Sequence, residues 1–457
     1  MRPIVAAALA LAVVLAGCSA PRQRLARLFD EYWDETMRRN PTWATSLGDH
    51  RYDDRLPDLS AEARHEWEGE LEDFLGTLRS IPVAKLSAAD RLNHRIFERV
   101  CEYELSRLLT RSYLVPLNQM GGPHLALPML QVSHPFETYE DYINYAKRLE
   151  AFPDQVEQIV ANMEEGRRAG HVAPRVNIVP VITQIESQLV VDPVDSVLFD
   201  PLDQVSSALS EDQQQTVRRR VMAAIGECVV PSYRRLLTYL TDTYMPACRN
   251  TVGIYDVPGG AAIYVRRTRL ETTTDLTPQE IHQIGLAEVT RLRGAMDRVR
   301  MAMGFEGELD AFMDHLRSQP EFFAKTGAEL VQRCNDCLRR AEAAMPKLFG
   351  RLPVASCEMK EIESYRAVSA PVAYYNPPAE DFSRPGYYYI NTYEPTKRPL
   401  YSLEALTYHE AVPGHHLQIA LDQENTSLPR FRRYAGFTAY VEGWALYGES
   451  LGAEIGG

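Results

Sequence analysis

Positive charge is the first thing this sequence is short of. It carries 62 Asp and Glu against 49 Lys and Arg, a net charge of −13 over 457 residues. Such a surface repels nucleic acid and anionic lipid headgroups, so nucleic acid is not expected as a partner, and the imbalance says nothing about fold. Cysteine is sparse too. The seven are Cys18, Cys101, Cys228, Cys248, Cys334, Cys337 and Cys357, too few for a disulfide scaffold in so long a chain. Cys334-Asn335-Asp336-Cys337 is a C-x-x-C, but it sits inside a helical pattern and has no second pair. Buried thiols or a local disulfide are therefore expected there rather than a redox or zinc site. Long apolar runs are missing: the one stretch, Ile4 to Ala16, is too short for a comfortable membrane span. No internal repeat, low-complexity tract or clean linker divides the chain. Gly259-Gly260 lacks the strand–loop–helix setting of a phosphate loop, so nucleotide binding is not expected either.

What is present begins with a targeting segment. Arg2 gives a short positive start, the apolar run follows, and Leu15-Ala16-Gly17-Cys18 closes it with small residues leading into cysteine. This resembles a bacterial lipobox, which makes residues 1–18 a lipoprotein signal peptide, Cys18 the lipidated first residue of the mature chain, and 19–24 a tether. A plain signal peptide cleaved nearby is the alternative. Either way the expected location is the bacterial cell envelope, and with the lipid the chain is membrane-anchored and facing the periplasm.

The rest reads as long amphipathic helices. Arg22–Arg39 places Leu25, Leu28, Phe29 and Trp33 at helical spacing. Leu59–Ser80 and Ala88–Arg111 follow, then Tyr139–Gly170, expected to break near Pro153, and Ser210–Arg249, expected to be interrupted by Pro231. Thr277-Pro278-Gln279-Glu280 is a capping box with Pro at the first helical position, opening a helix to about Met303. Lys325–Phe349 closes this series. The stretch Thr251–Asp275 reads as non-helical, able to line a cleft. The texture then changes. Val354–Val368 and Ala373–Pro378 read as extended, and "GYYYINTY" (Gly386–Tyr393) is a strand by its aromatic and β-branched composition. Two helices end the chain, Ser402 to about Glu424 and Gly436 to about Leu451. The expected fold is mainly α: a large helical body, a small β-sheet, and beside it a zincin-like pair of active-site helices, all within a single domain over 25–457.

Chemistry concentrates in the last two helices. "YHEAVPGHHLQ" (Tyr408–Gln418) puts three of the eleven histidines within eight positions. A helical His-Glu can offer an imidazole to a metal and a carboxylate to the water beside it. The spacing is awkward. On a regular helix His415 lies about 120° off the face of His409, and His416 returns to that face roughly 10 Å along the axis. With zinc–nitrogen bonds of about 2.1 Å, neither pair could share an ion. Pro413-Gly414 changes this, because Pro removes a helical donor and Gly tolerates unusual dihedrals. Together they permit a bulge that absorbs two residues, so the helix is expected to be deformed between Ala411 and His415. His409 with either His415 or His416 then becomes a workable pair. "AYVEGWALYGES" supplies a third candidate ligand, Glu442, in a helix apolar enough that a carboxylate wants a cation. Glu449, seven residues on, lies on the same face and could orient a ligand histidine.

"HEAVPGHHLQ" and "YVEGWALYGE", with "LTPQEIHQIGLAEV" and "SRPGYYYINT" before them, resemble the bacterial family catalogued as domain of unknown function 885. The resemblance spans most of the mature chain. It implies a zinc metallopeptidase related to the mainly α-helical gluzincin oligopeptidases. On the family's pattern, H-E-x-x-P-G-H-x-x-Q, it implies His409 and His415 as metal ligands, Glu410 as general base, and Glu442 as third ligand. Members usually continue past this helix into a segment with further Arg, Asp and His, so a chain lacking its C-terminal part is expected. In zincins generally an edge strand beside the active-site helix pairs with an extended peptide. If "GYYYINTY" is that strand, Tyr389 or Asn391 could bind substrate and polarise the scissile carbonyl.

The expected activity is hydrolysis of peptide bonds in short peptides, with zinc as cofactor and Glu410 as base toward a metal-activated water. The rival from another class is an envelope lipoprotein that binds peptides or a partner without catalysis and needs no zinc. An amidase acting on cell-wall stem peptides is a variant of the enzyme reading. A two-histidine iron oxygenase fits less well, since a Glu directly after His409 suits a base better than a ligand.

Overall fold

The computed structural model describes residues 20–455. It is mainly helical with one small sheet. In chain order the longer helices are α1 (Pro21–Arg39), α2 (Ala61–Arg79), α3 (Ala88–Leu109), α4 (Tyr139–Glu150), α5 (Phe152–Ala169), α6 (Arg175–Glu186), α7 (Glu211–Ala223), α8 (Val230–Thr238), α9 (Gly260–Thr272), α10 (Pro278–Ala302), α11 (Leu309–Ser318) and α12 (Gly327–Ala344). Strands β1 (Cys357–Glu361), β2 (Ala373–Asn376) and β3 (Gly386–Ile390) follow, then α13 (Leu403–Glu410), α14 (His415–Glu424) and α15 (Thr438–Ile455). The lipobox cysteine Cys18 and the segment before it lie outside the described residues.

Local chemistry sets many of these boundaries. Ser60, Ser87 and Thr138 each accept a backbone N–H from the first turn of the helix they precede. Thr277 and Glu280 form the expected reciprocal cap on α10. Ala151 separates α4 from α5, whose first turn contains Pro153, where no backbone donor is needed. Pro231 does not interrupt its helix as expected. A π-helical turn at Ala224–Val229 runs directly into α8 and leaves room for the proline ring. The segment expected to be non-helical, 251–275, is so only at its ends; residues 260–272 fold into α9, which begins at Gly260. A Cβ there would lie 1.8 Å from the carbonyl oxygen of Ile254, so only glycine permits that start. Helix α10 buries none of its residues, and Ile284, Val289, Leu292 and Val299 stand half-exposed along it.

The three largest hydrophobic clusters hold the elements together. Helices α1–α3 close around Phe29, Tyr32, Leu71, Leu75 and Phe97, joined from far along the chain by Phe431. Helices α4–α8 share a larger one, built on Tyr145, Phe152, Ile159, Ile178, Val221 and Tyr233. The third core positions the site. It packs Leu330, Cys334 and Leu338 of α12 and Tyr388 and Ile390 of β3 against Leu403, Tyr408, Val412 and Leu417. All six cysteines in the described residues are free thiols, five of them buried, and Cys334 and Cys337 face inward from α12. No helix among the described residues is long and apolar enough to cross a membrane.

The sheet has the order β1-β3-β2, with β1 parallel and β2 antiparallel to β3. "GYYYI" is therefore the central strand, buried at every position, and not the edge strand expected to meet a peptide. Both its hydrogen-bonding sides are occupied. Its alternation sends Tyr388 and Ile390 into the α12–α13 core and Tyr387 and Tyr389 to the opposite face, against Ile362 and Ala367.

Two buried histidines tie this fold to pH. Burial holds His124 and His134 at about 4, below the usual 6.5, and His134 accepts an N–H from the fully buried Arg148. Below pH 6.5 the unfolded chain takes up protons that these folded histidines refuse, so their contribution to stability should be lost between about pH 6.5 and pH 4 and stay constant above that window. Each histidine accounts for ~3 kcal/mol over it. Denaturant titrations at stepped pH should show this loss, and His124→Gln should remove about one proton's share of the slope. An unchanged slope in the variant would refute the assignment.

Candidate metal centre

The histidine stretch is not one helix. Helix α13 stops at Glu410, residues 411–414 form a turn, and α14 starts at His415. Ala411 leaves helical space at φ −107°, ψ −106°, and Gly414 at φ −81°, ψ −126°. The His416 amide donates to the Ala411 carbonyl at 3.0 Å, a five-residue closure in place of the helical four. Glycine at 414 is needed for space rather than for a left-handed dihedral. A Cβ there would meet the carbonyl oxygens of His409 at 1.9 Å and Tyr408 at 2.3 Å.

Helix α15 packs directly on this turn. A Cβ on Gly448 would lie 3.3 Å from the Gly414 backbone, and the Trp444 indole N–H donates to the Pro413 carbonyl at 2.8 Å. The approach is close because position 448 carries no side chain, and it sets Glu442 and Glu449 opposite the histidines.

The two histidine rings stand edge to face, with centroids 4.7 Å apart. His409 Nδ1–H donates to Glu449 Oε1 at 2.8 Å, an arrangement that, in a neutral ring, places the remaining lone pair on Nε2. That Nε2 lies 3.4 Å from Glu442 Oε2, and His415 Nε2 lies 3.9 Å from Glu442 Oε1. One donor atom from each of the three residues falls within 4.8 Å of the others. Lone pairs and a carboxylate facing one another repel unless a proton or cation lies between them. A tetrahedral ion with bonds of about 2.1 Å needs donors roughly 3.4 Å apart; the His409–Glu442 separation matches this, and the remaining ones lie within 4.8 Å. His415 Nδ1 is buried with no partner among the described residues. Burial, reinforced by His409 and opposed by Glu442, holds the His415 ring below its usual pKa, in the neutral form a ligand needs. His409, His415 and Glu442 therefore fit a metal ion.

Glu410 is the last residue of α13 and is buried. Desolvation raises its carboxyl to about 7; Glu442 and Glu449 add to this and His409 opposes it. Glu442 is less enclosed than its apolar sequence neighbours suggest. Its side chain is 56% exposed, because Tyr440, Leu446 and Tyr447 also face outward.

Other expected site residues lie elsewhere. His416, the alternative ligand, has both nitrogens engaged: its Nε2–H donates to the Ala355 carbonyl at 3.0 Å and its Nδ1 accepts from the Tyr375 hydroxyl at 2.8 Å. One residue past His415 is a 100° rotation, which turns it toward the sheet. Asn391 is fully buried and its Nδ2 donates to the carbonyls of Ala367, Ala370 and Pro371, while Oδ1 accepts the Tyr393 amide. It locks the loop between β1 and β2 and has no atom left for a substrate. Tyr389 stacks on Tyr374, centroids 4.6 Å apart, on the sheet face away from α13. The strand that borders the site is β2, whose Tyr375 ring lies 6.5 Å from the His415 ring. Its "AYYN" was legible as a strand, but the order of strands in the sheet was not.

The fold and site define a mainly α-helical protein whose last three helices gather a His–His–Glu cluster around a turn. The chain belongs to the family described as "Bacterial protein of unknown function (DUF885)", which matches residues 41–457. Among solved structures it is similar to a candidate lipoprotein from Colwellia psychrerythraea, with 25% identity and a TM-score of 0.86 over 96% of this chain and 78% of that one. A candidate lipoprotein of unknown function from Shewanella oneidensis shares the fold at 14% identity and a TM-score of 0.63, over 94% and 78%. No curated protein matches this chain.

The turn itself is open to test. Gly414→Ala should lower stability by at least about 2 kcal/mol, since the methyl group meets backbone on two sides. Denaturant unfolding of the variant checks this, and wild-type stability would show that the turn is not so confined.

Proposed function

We propose that this chain is a zinc-dependent hydrolase of peptide bonds in short peptides, working in the cell envelope. The observation that supports it most is the convergence of His409, His415 and Glu442 within 4.8 Å, with Glu449 holding the His409 tautomer and Glu410 one residue from a ligand. Two imidazoles and one carboxylate are a donor set zinc favours when it is catalytic rather than structural. A zinc ion held by these residues would supply a Lewis acid that activates water and polarises a carbonyl. The chain's own residues do the rest. Glu449 orients His409 through Nδ1 and keeps Nε2 facing inward. Glu410, shielded from solvent, accepts the proton of the attacking water and hands it to the nitrogen of the departing amine. The exposed side of Glu442 leaves the cluster accessible to a substrate. The "LAGC" at 15–18 and the candidate lipoproteins among the similar structures support the envelope and a lipid anchor at Cys18. Substrates of peptide size follow the resemblance to helical oligopeptidases.

Elemental analysis of purified protein, with a peptide-library digest, tests this reading. Glu410→Gln should retain zinc and lose hydrolysis by 10²-fold or more, whereas His409→Ala should lose the zinc itself. Full activity in the first variant, or unchanged zinc in the second, would remove the assigned role. A protein that purifies without zinc and takes none up would favour the non-catalytic envelope lipoprotein. Separately, Glu449→Gln should weaken zinc binding by about 10- to 100-fold in a chelator competition. Equal affinity would mean that Glu449 does not orient His409.

A further inference from the structure

A cavity of about 410 Å³ opens beside the cluster, and on its wall is a cation that rests on carbonyls and on the Tyr387 ring with no carboxylate counter-ion among the described residues. The cavity is bordered by α14 and α15, two of the three helices that hold the cluster, and by β2. Gln418 lies one helical turn beyond His415 on α14, Val441 immediately precedes Glu442 on α15, and Asn376 follows Tyr375 on β2. Arg384 lies on its wall, in the "SRPG" that leads into β3. Its Nη2 donates to the Ser46 carbonyl at 3.0 Å and its Nη1 to the Pro385 carbonyl at 3.3 Å, and no carboxylate pairs with it among the described residues. The neighbouring Arg433 is different: Glu380 holds it at 3.0 Å. Burial presses the Arg384 guanidinium below its usual pKa, as expected of a cation lacking a counter-charge. Asp422, a carboxyl on the same wall, is pushed the other way, toward its neutral form, chiefly by burial.

Two more groups await a ligand. The side chains of Gln418 and Gln423, each more than nine-tenths buried, line the cavity, and each has an amide oxygen with no partner among the described residues. A buried acceptor left unsatisfied costs free energy that a bound N–H would recover. A guanidinium without a counter-charge, lining the same cavity as unfilled amide acceptors, is complementary to one chemistry: a carboxylate attached to a peptide group.

We propose that this cavity is a substrate subsite that takes a carboxylate of the peptide, gripped by Arg384, while Gln418 accepts a peptide N–H beside it. The carboxylate is that of the chain terminus or of an acidic side chain. The assignment rests on the hydrolase reading for what lies next door, yet the two can fail separately.

Calorimetric binding to the full chain carrying Glu410→Gln compares three probes: N-acetyl-trialanine with a free C-terminus, the same peptide amidated, and an amidated version ending in Glu. The free acid, the Glu amide or both should bind at least about tenfold more tightly than the neutral amide. Tight binding of the free acid alone identifies the chain terminus, and tight binding of the Glu amide identifies the side chain. Arg384→Gln should erase the preference and leave the neutral amide within about twofold. Equal affinity for all three, or no binding of any, overturns the subsite, as does a preference that survives in Arg384→Gln. The comparison of probes needs no Arg384 variant, so a variant that fails to fold does not weaken it. A preference that stands in a wild-type protein without turnover keeps the subsite and removes the hydrolase.

Discussion

The site depends on one close approach. The turn at 411–414 folds back so tightly that Gly414 has room for a hydrogen and nothing larger against the carbonyls of Tyr408 and His409. Helix α15 then lies against the outside of that turn through Gly448 and the Trp444–Pro413 hydrogen bond. These two contacts convert a six-residue spacing, unusable on a regular helix, into a pair of imidazoles 4.7 Å apart with a carboxylate opposite them. Backbone packed on backbone cannot give way as a flexible side chain can, so the geometry is preset.

The electrostatics follow from that packing. Five titratable groups, His409, Glu410, His415, Glu442 and Glu449, are drawn together, and only the His409–Glu449 pair satisfies itself. The remainder is an excess of lone pairs and negative charge in a partly desolvated place. A fold does not retain such an arrangement for stability, since unpaired buried polar groups cost free energy. The same reasoning applies at Arg384 with the sign reversed: a cation is left without an anion where a ligand could supply one.

Sequence legibility tracked how local each cause is. Most long helices of the body, the capping box at Thr277 and the break next to Pro153 rest on neighbours within a turn, and their patterns could be seen in the chain, whereas α6 and α11 were not expected. So could the need for a deformation at Pro413-Gly414, because helix geometry alone forbids the alternative. The misjudged stretches have non-local causes. Residues 260–272 form α9 even though Gly259-Gly260 reads as a loop; these glycines instead start the helix under the Ile254 carbonyl. Asn391 looked like a donor for substrate, but three carbonyls from the loop between β1 and β2 claim it.

By itself, the sequence specified a mainly helical chain, a short aromatic sheet, and a histidine–glutamate stretch that a proline–glycine pair must bend. Periodicity, capping and dihedral limits are properties of consecutive residues and survive without a partner. Only the tertiary structure decided which histidine faces the cluster, which strand borders it, and that Arg384 stands uncompensated at its side. Those outcomes depend on strand order, on the rotation of α14 about its axis, and on which distant carbonyls and carboxylates arrive first at each polar atom. No stretch of neighbouring residues encodes these.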